Sequence, residues 1–401
     1  MPAQSKLLGA PGGAGAVAAV IAGLAASLVA LSKEKARRRQ KCNQNLHGVD
    51  GPPQKRSGAA NQHRRPRYPN KHGSSARRRH PEKTQWFYDF VSQENKASML
   101  DPAGSVLQDE FYHKFRVPYD MFLELVAETR RDPRFAYADE STPGRGPQPH
   151  PLELKVMAAL RRVALGVSLD GLVDMAGLSK ATLHRFISDW EQWFVERYYD
   201  KWVKLPEGSE LHEAVELFRR DGLPGCVSSM DVVHVRYDRC PAQQRSLHAG
   251  KEGYPTLGFH FHCGHNRYVY YVSEAFPGAR NDKAIVRFDT FLDDRVEKPE
   301  LASYNYTLRT RSGGNDIWRG LWALCDGGYH KWAHTICGMK HADELEWKAW
   351  SGLCESTRKD VECVFGILKK RFQVLKNATL VADAASCLLY TSDAADDSLR
   401  V

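Results

Sequence analysis

CVSSMDVVHVRY, residues 226–237, is a run of strand-forming residues with one carboxylate, Asp231, set in its middle. Val, Met and Cys at this density read as a central strand buried on both faces. A lone carboxylate there costs several kcal/mol, on the order of the penalties for unpaired buried charge, unless a cation compensates it. The pattern repeats outward. TLGFHFHCG (256–264) and RYVYYVSEAF (267–276) are further β-rich runs. After a stretch that reads as a helical insertion, GLWALCDGGY (320–329) is an apolar strand ending on Asp326, just ahead of Gly327 and Gly328. A carboxylate at the C-terminal end of a strand opens onto the crevice where α/β proteins bind ligands.

Two helices complete this half of the chain. One is expected over 281–291, capped near Asn281; a long amphipathic one is expected over 356–375, with an apolar stripe of Val361, Val364, Phe365, Leu368, Phe372 and Leu375. Glu362 borders that stripe and can project between core and solvent. The order β-β-β-α-β-α predicts an α/β fold, an RNase H-like domain over 222–380 with a mixed sheet flanked by helices.

Upstream, 84–205 reads as all-helical. Trp86, Phe87, Phe90 and Val91, then Phe111 and Phe115, then Phe122, Leu125 and Val126 fall at helical spacing. The breaker STPGRGPQPHP (141–151) precedes the clearest block, 152–200. There a helix carrying Leu154, Met157, Leu160 and Val163 is followed by a short one capped by Ser168, the turn residue Gly177, and a third helix from near Lys180. That is the helix-turn-helix pattern, and it would aim Lys180, Thr182 and Arg185 at phosphates and base edges in a DNA major groove. The competing reading is a bundle whose third helix packs inward and touches no DNA.

Charge is unevenly spread. Residues 33–83 hold 16 Lys/Arg against three acids, leaving 84–401 net acidic although the chain carries +9. Residues 1–83 therefore read as a disordered leader and basic arm, suited to polyanions through counterion release, to nuclear import, or to both. Residues 16–31 are apolar but short for a membrane span, and stand open between a membrane or signal segment, a low-complexity leader and a misassigned start. The nine cysteines are scattered without a CxxC pair, which argues against a disulfide framework or zinc ribbon and for a reducing compartment. His260 and His262 share one strand face, but no second ligand pair stands at zinc-site spacing.

Asp231, Asp326 and Glu362 together offer hard oxygen donors suited to two Mg²⁺ or Mn²⁺ ions rather than zinc. Asp282 is a further candidate ligand, although its place before a helix suits an N-cap. Lys369, Lys370 and Arg371 could hold DNA phosphates or form a solvated basic face.

The strings SMDVVHV, GKEGYPTLGF, FPGARND, LCDGGYHKW and RKDVECVFGILKKRFQVL, in this order, resemble the PIF/Harbinger-type DDE transposases. The resemblance covers about 84–380 and is strongest from Asp231 to Leu375. It implies that Asp231, Asp326 and Glu362 are the catalytic, metal-binding acids, with 35 residues between the last two. It also implies an upstream helix-turn-helix, cut-and-paste action on double-stranded DNA, a homodimer, a nuclear location and a Myb/SANT-like DNA-binding partner. The alternative is a domesticated, catalytically silent DNA-binding or scaffold protein of the same fold. From Ser386 the string SCLLYTSDAADDSLRV departs from the family's continuation and resembles translated adaptor sequence, so 386–401 is expected to be non-native.

Overall fold

The computed structural model describes residues 81–376, apart from 102, 140–149, 239, 293–297, 331 and 342. The basic arm over 33–80, the apolar stretch 16–31 and the tail 386–401 lie outside the described residues. Residues 81–83, expected to belong to the disordered leader, form a 3-10 turn, Pro81–Lys83.

Helices of eight residues or more are labelled α1–α7. The short helix Gln85–Phe90, α1 (Val106–Phe115) and α2 (Tyr119–Arg131) meet through Trp86, Phe90, Phe111, Phe115 and Phe122, all buried. Their rings pack edge-on or tilted, as in Phe90 against Phe111 at 5.2 Å. Next come α3 (Leu152–Leu165), α4 (Leu169–Ala176) and α5 (Lys180–Trp202). Hydroxyl caps start the last two: Ser168 accepts from the Gly171 N–H and Ser179 from the Thr182 N–H. Gly177 ends α4 at φ +65°, a conformation that glycine adopts without strain. Along α5, Leu183, Phe186, Ile187, Trp190 and Phe194 are buried, and Trp190 Nε1 donates to Thr129 of α2 at 3.0 Å.

Helix α6 (Gly208–Arg220) leads into β1 (Cys226–Arg236). Strands β2 (Thr256–Cys263), β3 (Val269–Val272), β4 (Phe276–Pro277), β7 (Trp322–Leu324) and β8 (Thr335–Ile336) complete a mixed sheet in the order β3-β2-β1-β7-β8, with β4 on β2. β1 runs antiparallel to β2 and parallel to β7, and β7 parallel to β8. Helix α7 (Leu345–Arg371) lies on one face through Val361, Val364 and Leu368, with Phe365 edge-on to Phe261 at 5.2 Å. Helix α6 covers the other face, where Ala214 meets Met230. The fold is thus mixed α/β, a mixed sheet flanked by helices.

Three expectations are corrected. The insertion before β7, read as helical, includes among its described residues a turn of helix, Pro299–Ala302, and then a hairpin of β5 (Asn305–Arg309) and β6 (Asn315–Arg319). The helix expected over 281–291 stops early, as Asp282–Ile285 plus a 3-10 turn Val286–Phe288. Asp289 then leaves the helical conformation, at φ −85° and ψ 96°, and accepts the N–H groups of Phe291 and Leu292, capping the helical residues 290–292 that follow. The last helix begins at Leu345, well before the expected 356, and ends at Arg371, so Phe372 and Leu375 pack from a separate turn, Gln373–Leu375.

Candidate active site

Strand register brings the two aspartates side by side. Ser229 of β1 is paired with Leu324 of β7 in a parallel ladder. Asp231 and Asp326 each lie two residues beyond that pair, Asp326 just past the end of β7 and close enough to act on the Asp231 carboxyl. Asp326 is turned by its own loop: its Oδ1 accepts the Gly328 N–H at 2.7 Å. A β-carbon on Gly328 would stand 2.9 Å from that oxygen, which is why glycine fits there.

Asp231 faces Phe261 across the β1–β2 ladder, on the side covered by α7. There, Glu355, Arg358 and Glu362 fall three and four residues apart and share one helix face. The buried Arg358 guanidinium donates to Asp231 Oδ2 at 3.3 Å, to Glu362 Oε1 at 2.8 Å and to Glu355 Oε2 at 3.4 Å. Burial works against its charge, but Asp231, Glu355 and Glu362 outweigh that and raise its pKa.

Burial pushes the Asp231 carboxyl up to about 6; Asp326 and Asp282 push the same way, against the Val232 N–H and Arg358. Tyr329 carries the same imprint: burial first, then Asp231, Asp282 and Asp326, hold its phenol well above the usual range. Asp231, Asp326 and Asp282 thus act on the same surroundings, and Glu362 of α7 is joined to Asp231 through Arg358. A groove lined by Gly327, Gly338, Met339, Lys340 and Glu355 adjoins them.

The sequence offered both Asn281 and Asp282 as the cap of this helix; Asn281 takes the role, its Oδ1 accepting the Ala284 N–H at 2.8 Å. Asp282 sits at the first helical position, close enough to Asp231 to act on its pKa.

The other candidates lie apart from this cluster. Lys180 pairs with Asp170 at 2.8 Å, and Thr182 bonds to Ser179 at 2.7 Å. Arg185 lies over the Tyr137 ring at 3.8 Å. Lys180 and Arg185 are exposed at the start of α5, and exposed pairs contribute about 0–1 kcal/mol, so a phosphate can displace them. At the end of α7 the three basic residues diverge. Lys369 donates to the His234 carbonyl at 3.3 Å and Arg371 to the Arg116 carbonyl at 2.9 Å, while Lys370 is exposed.

Arg358 and Glu355 were missed in the sequence. The usable signal was spacing: Arg358 precedes Glu362 by one helical turn, where a cation meets a carboxylate.

The donor set is carboxylate oxygen throughout, and a cation already stands between two of its members. Both observations fit a hard divalent ion.

Residues 200–389, a little under half of the chain, match the family model described as plant transposon protein. The match runs from the end of α5 past the end of α7 and supports a transposase-related protein. Nothing among curated proteins or solved structures matches the chain.

Proposed function

We propose that this chain is a metal-dependent DNA nuclease of the PIF/Harbinger DDE transposase type, with an RNase H-like catalytic unit. The observation that carries this reading is the convergence on Arg358: its guanidinium touches Asp231 and Glu362, while Asp231 is acted on by Asp326 and Asp282. The sheet, three antiparallel strands extended by two parallel ones, supports it, as does the family match.

Asp231, Asp326 and Glu362, with Asp282 beside them, would hold two Mg²⁺ or Mn²⁺ ions. When bound, such a pair lowers the pKa of the attacking water or 3′-hydroxyl and stabilises the leaving oxygen of an in-line displacement. The chain itself supplies orientation. The Gly328 N–H keeps the Asp326 carboxylate turned to the cluster, and Arg358 holds Glu362 toward Asp231. Arg358 also keeps the facing acids from repelling one another before ions arrive. Lys340, which lines the adjoining groove, and the exposed Lys370 would contact phosphates. Helices α3, α4 and α5 act as the helix-turn-helix, with Lys180, Thr182 and Arg185 toward double-stranded DNA. The protein works in the nucleus as a homodimer, with a Myb/SANT-like partner. Among the described residues, no helix is long and apolar enough to cross a membrane.

The test is incubation of the protein with DNA bearing the element's ends and Mg²⁺, repeated with Asp326→Asn. Cleavage by the wild type, lost in the variant while DNA binding persists, is the expected result. Equal cleavage by both would overturn the assignment of Asp326; binding without cleavage by either would make the chain a non-cutting scaffold.

A further inference from the structure

On the sheet face turned away from α7, a second group of titratable side chains meets out of reach of solvent. His260 and His262 stand opposite Val232 and Met230 in the β1–β2 ladder, whereas the intervening Phe261 points to α7. Asp289 reaches them from the end of the 286–288 turn, 27 positions after His262. We infer that His260, His262 and Asp289 form a second, separate cation site that takes one zinc-class divalent ion.

The geometry is that of a ligand triad. One candidate atom from each residue lies within 4.8 Å of the others, and all three side chains are at most 1 % exposed. Asp289 uses Oδ1 on the backbone N–H groups of Phe291 and Leu292. Its Oδ2 is left facing both imidazoles, at 2.6 Å from His262 Nε2 and 3.2 Å from His260 Nδ1.

His260 Nε2 has no hydrogen-bond partner, and Nδ1 has only its 3.2 Å approach to Asp289 Oδ2, a shortfall that is costly at this depth and would be relieved by a ligand bond. His262 is oriented from behind: its Nδ1 lies 3.1 Å from Ser228 Oγ, the outer contact that selects Nε2 as the ligating atom. Two imidazole nitrogens converge on one carboxylate oxygen, and a divalent ion bound by all three would replace the N–H contacts between them. Two nitrogens and one carboxylate favour zinc or a neighbouring first-row ion over Mg²⁺. The shell is aromatic, with Phe291 at 4.2 Å from the His262 ring. Tyr329, 5.9 Å from His260 between ring centres, adds a buried hydroxyl that lacks a hydrogen-bond partner. An ion here would pin the 282–289 segment, and with it Asp282, to the sheet. The inference does not depend on the nuclease reading.

The test uses the full chain, purified without chelator and dialysed against metal-free buffer. Atomic emission is expected to find one Zn²⁺ per chain, retained in the Asp231→Asn/Asp326→Asn double variant and in Cys363→Ser. It should be lost in His260→Gln and Asp289→Asn. Loading with Co²⁺ should give visible ligand-field bands and paramagnetically shifted imidazole signals from two histidines, a readout on the wild type that stands even where the variants fail to fold. A folded wild type that takes up neither Zn²⁺ nor Co²⁺ at micromolar concentration would overturn the inference. So would a folded His260→Gln that keeps its ion, or Co²⁺ loading without shifted histidine signals.

Discussion

The two faces of the central sheet solve the same electrostatic problem in opposite ways. On the α7 side, Asp231 has one backbone N–H and Arg358 to hold its charge, and two further aspartates working against it. Burial and those neighbours leave its carboxyl at about 6. On the other side Asp289 is more deeply enclosed, and burial again acts against its charge. There His262 and His260 outweigh burial and hold the carboxyl well below the usual range. The first cluster gathers acids around a single guanidinium and borders a groove, whereas the second is closed and sets two imidazoles against one carboxylate. The first donor set is oxygen and reachable from solution; the second is mixed nitrogen and oxygen and enclosed, so the two faces suit different cations.

The largest effect expected is on the open face. Asp231→Ala, Asp326→Ala and Glu362→Ala should each lower DNA cleavage on the order of 10³-fold or more, the scale for removing a member of a catalytic unit, with DNA binding retained in a gel-shift assay. Retained cleavage in any of them would remove that residue from the unit.

Arg358→Met should come next. It leaves partly buried carboxylates without their cation, so it should destabilise the metal-free protein by about 3 kcal/mol in denaturant unfolding. Millimolar Mg²⁺ should recover most of that loss, and an equal loss with and without Mg²⁺ would break the comparison.

Acid titration should then separate the two aspartates by sign. Asp231 has a raised folded pKa, so its contribution to stability falls as pH rises from the ordinary carboxylate range to about 6. Divalent affinity at that cluster should strengthen over the same interval, and Asp231→Asn should remove the dependence in calorimetric titrations. Asp289 is depressed, so its contribution is present above the ordinary carboxylate range and is lost as pH falls below it. Asp289→Asn should flatten that acid limb in unfolding curves.

The smallest effect belongs to Glu355→Gln. Its 3.4 Å contact with Arg358 is half exposed, so the change should cost less than about 1 kcal/mol in the same unfolding assay. A larger loss would mean that Glu355 is a full member of the open cluster.

How much of this was legible in the sequence follows from what each element buries. β1 and β7 stood out because an acid breaks or ends an apolar run, and α5 because Leu183, Phe186, Ile187 and Trp190 keep helical spacing into a core. The β5–β6 hairpin was hidden because its strands pack on little: Ile317 is 77 % exposed and Trp318 53 %. The first turns of α7 were hidden for the same reason, since Leu345 and Trp347 face solvent and give no inward stripe. Asp289 was absorbed into a helix expected to run to 291, so its meeting with His260 and His262 could not be read from spacing. Arg358 acquires its meaning only when β1, far away in sequence, is laid beneath it.

Phe111, Trp190, Phe261 and Val361 belong to one hydrophobic core, and Arg371 and Tyr199 fasten the sheet and α7 to the upstream helices through the Arg116 and Val272 carbonyls. An excised piece beginning after α5 would therefore carry an oily, unsatisfied wall and would be expected to aggregate. Recombination that exchanged the front half for a foreign one would have to supply a matching surface, so the two halves are constrained to evolve as a couple.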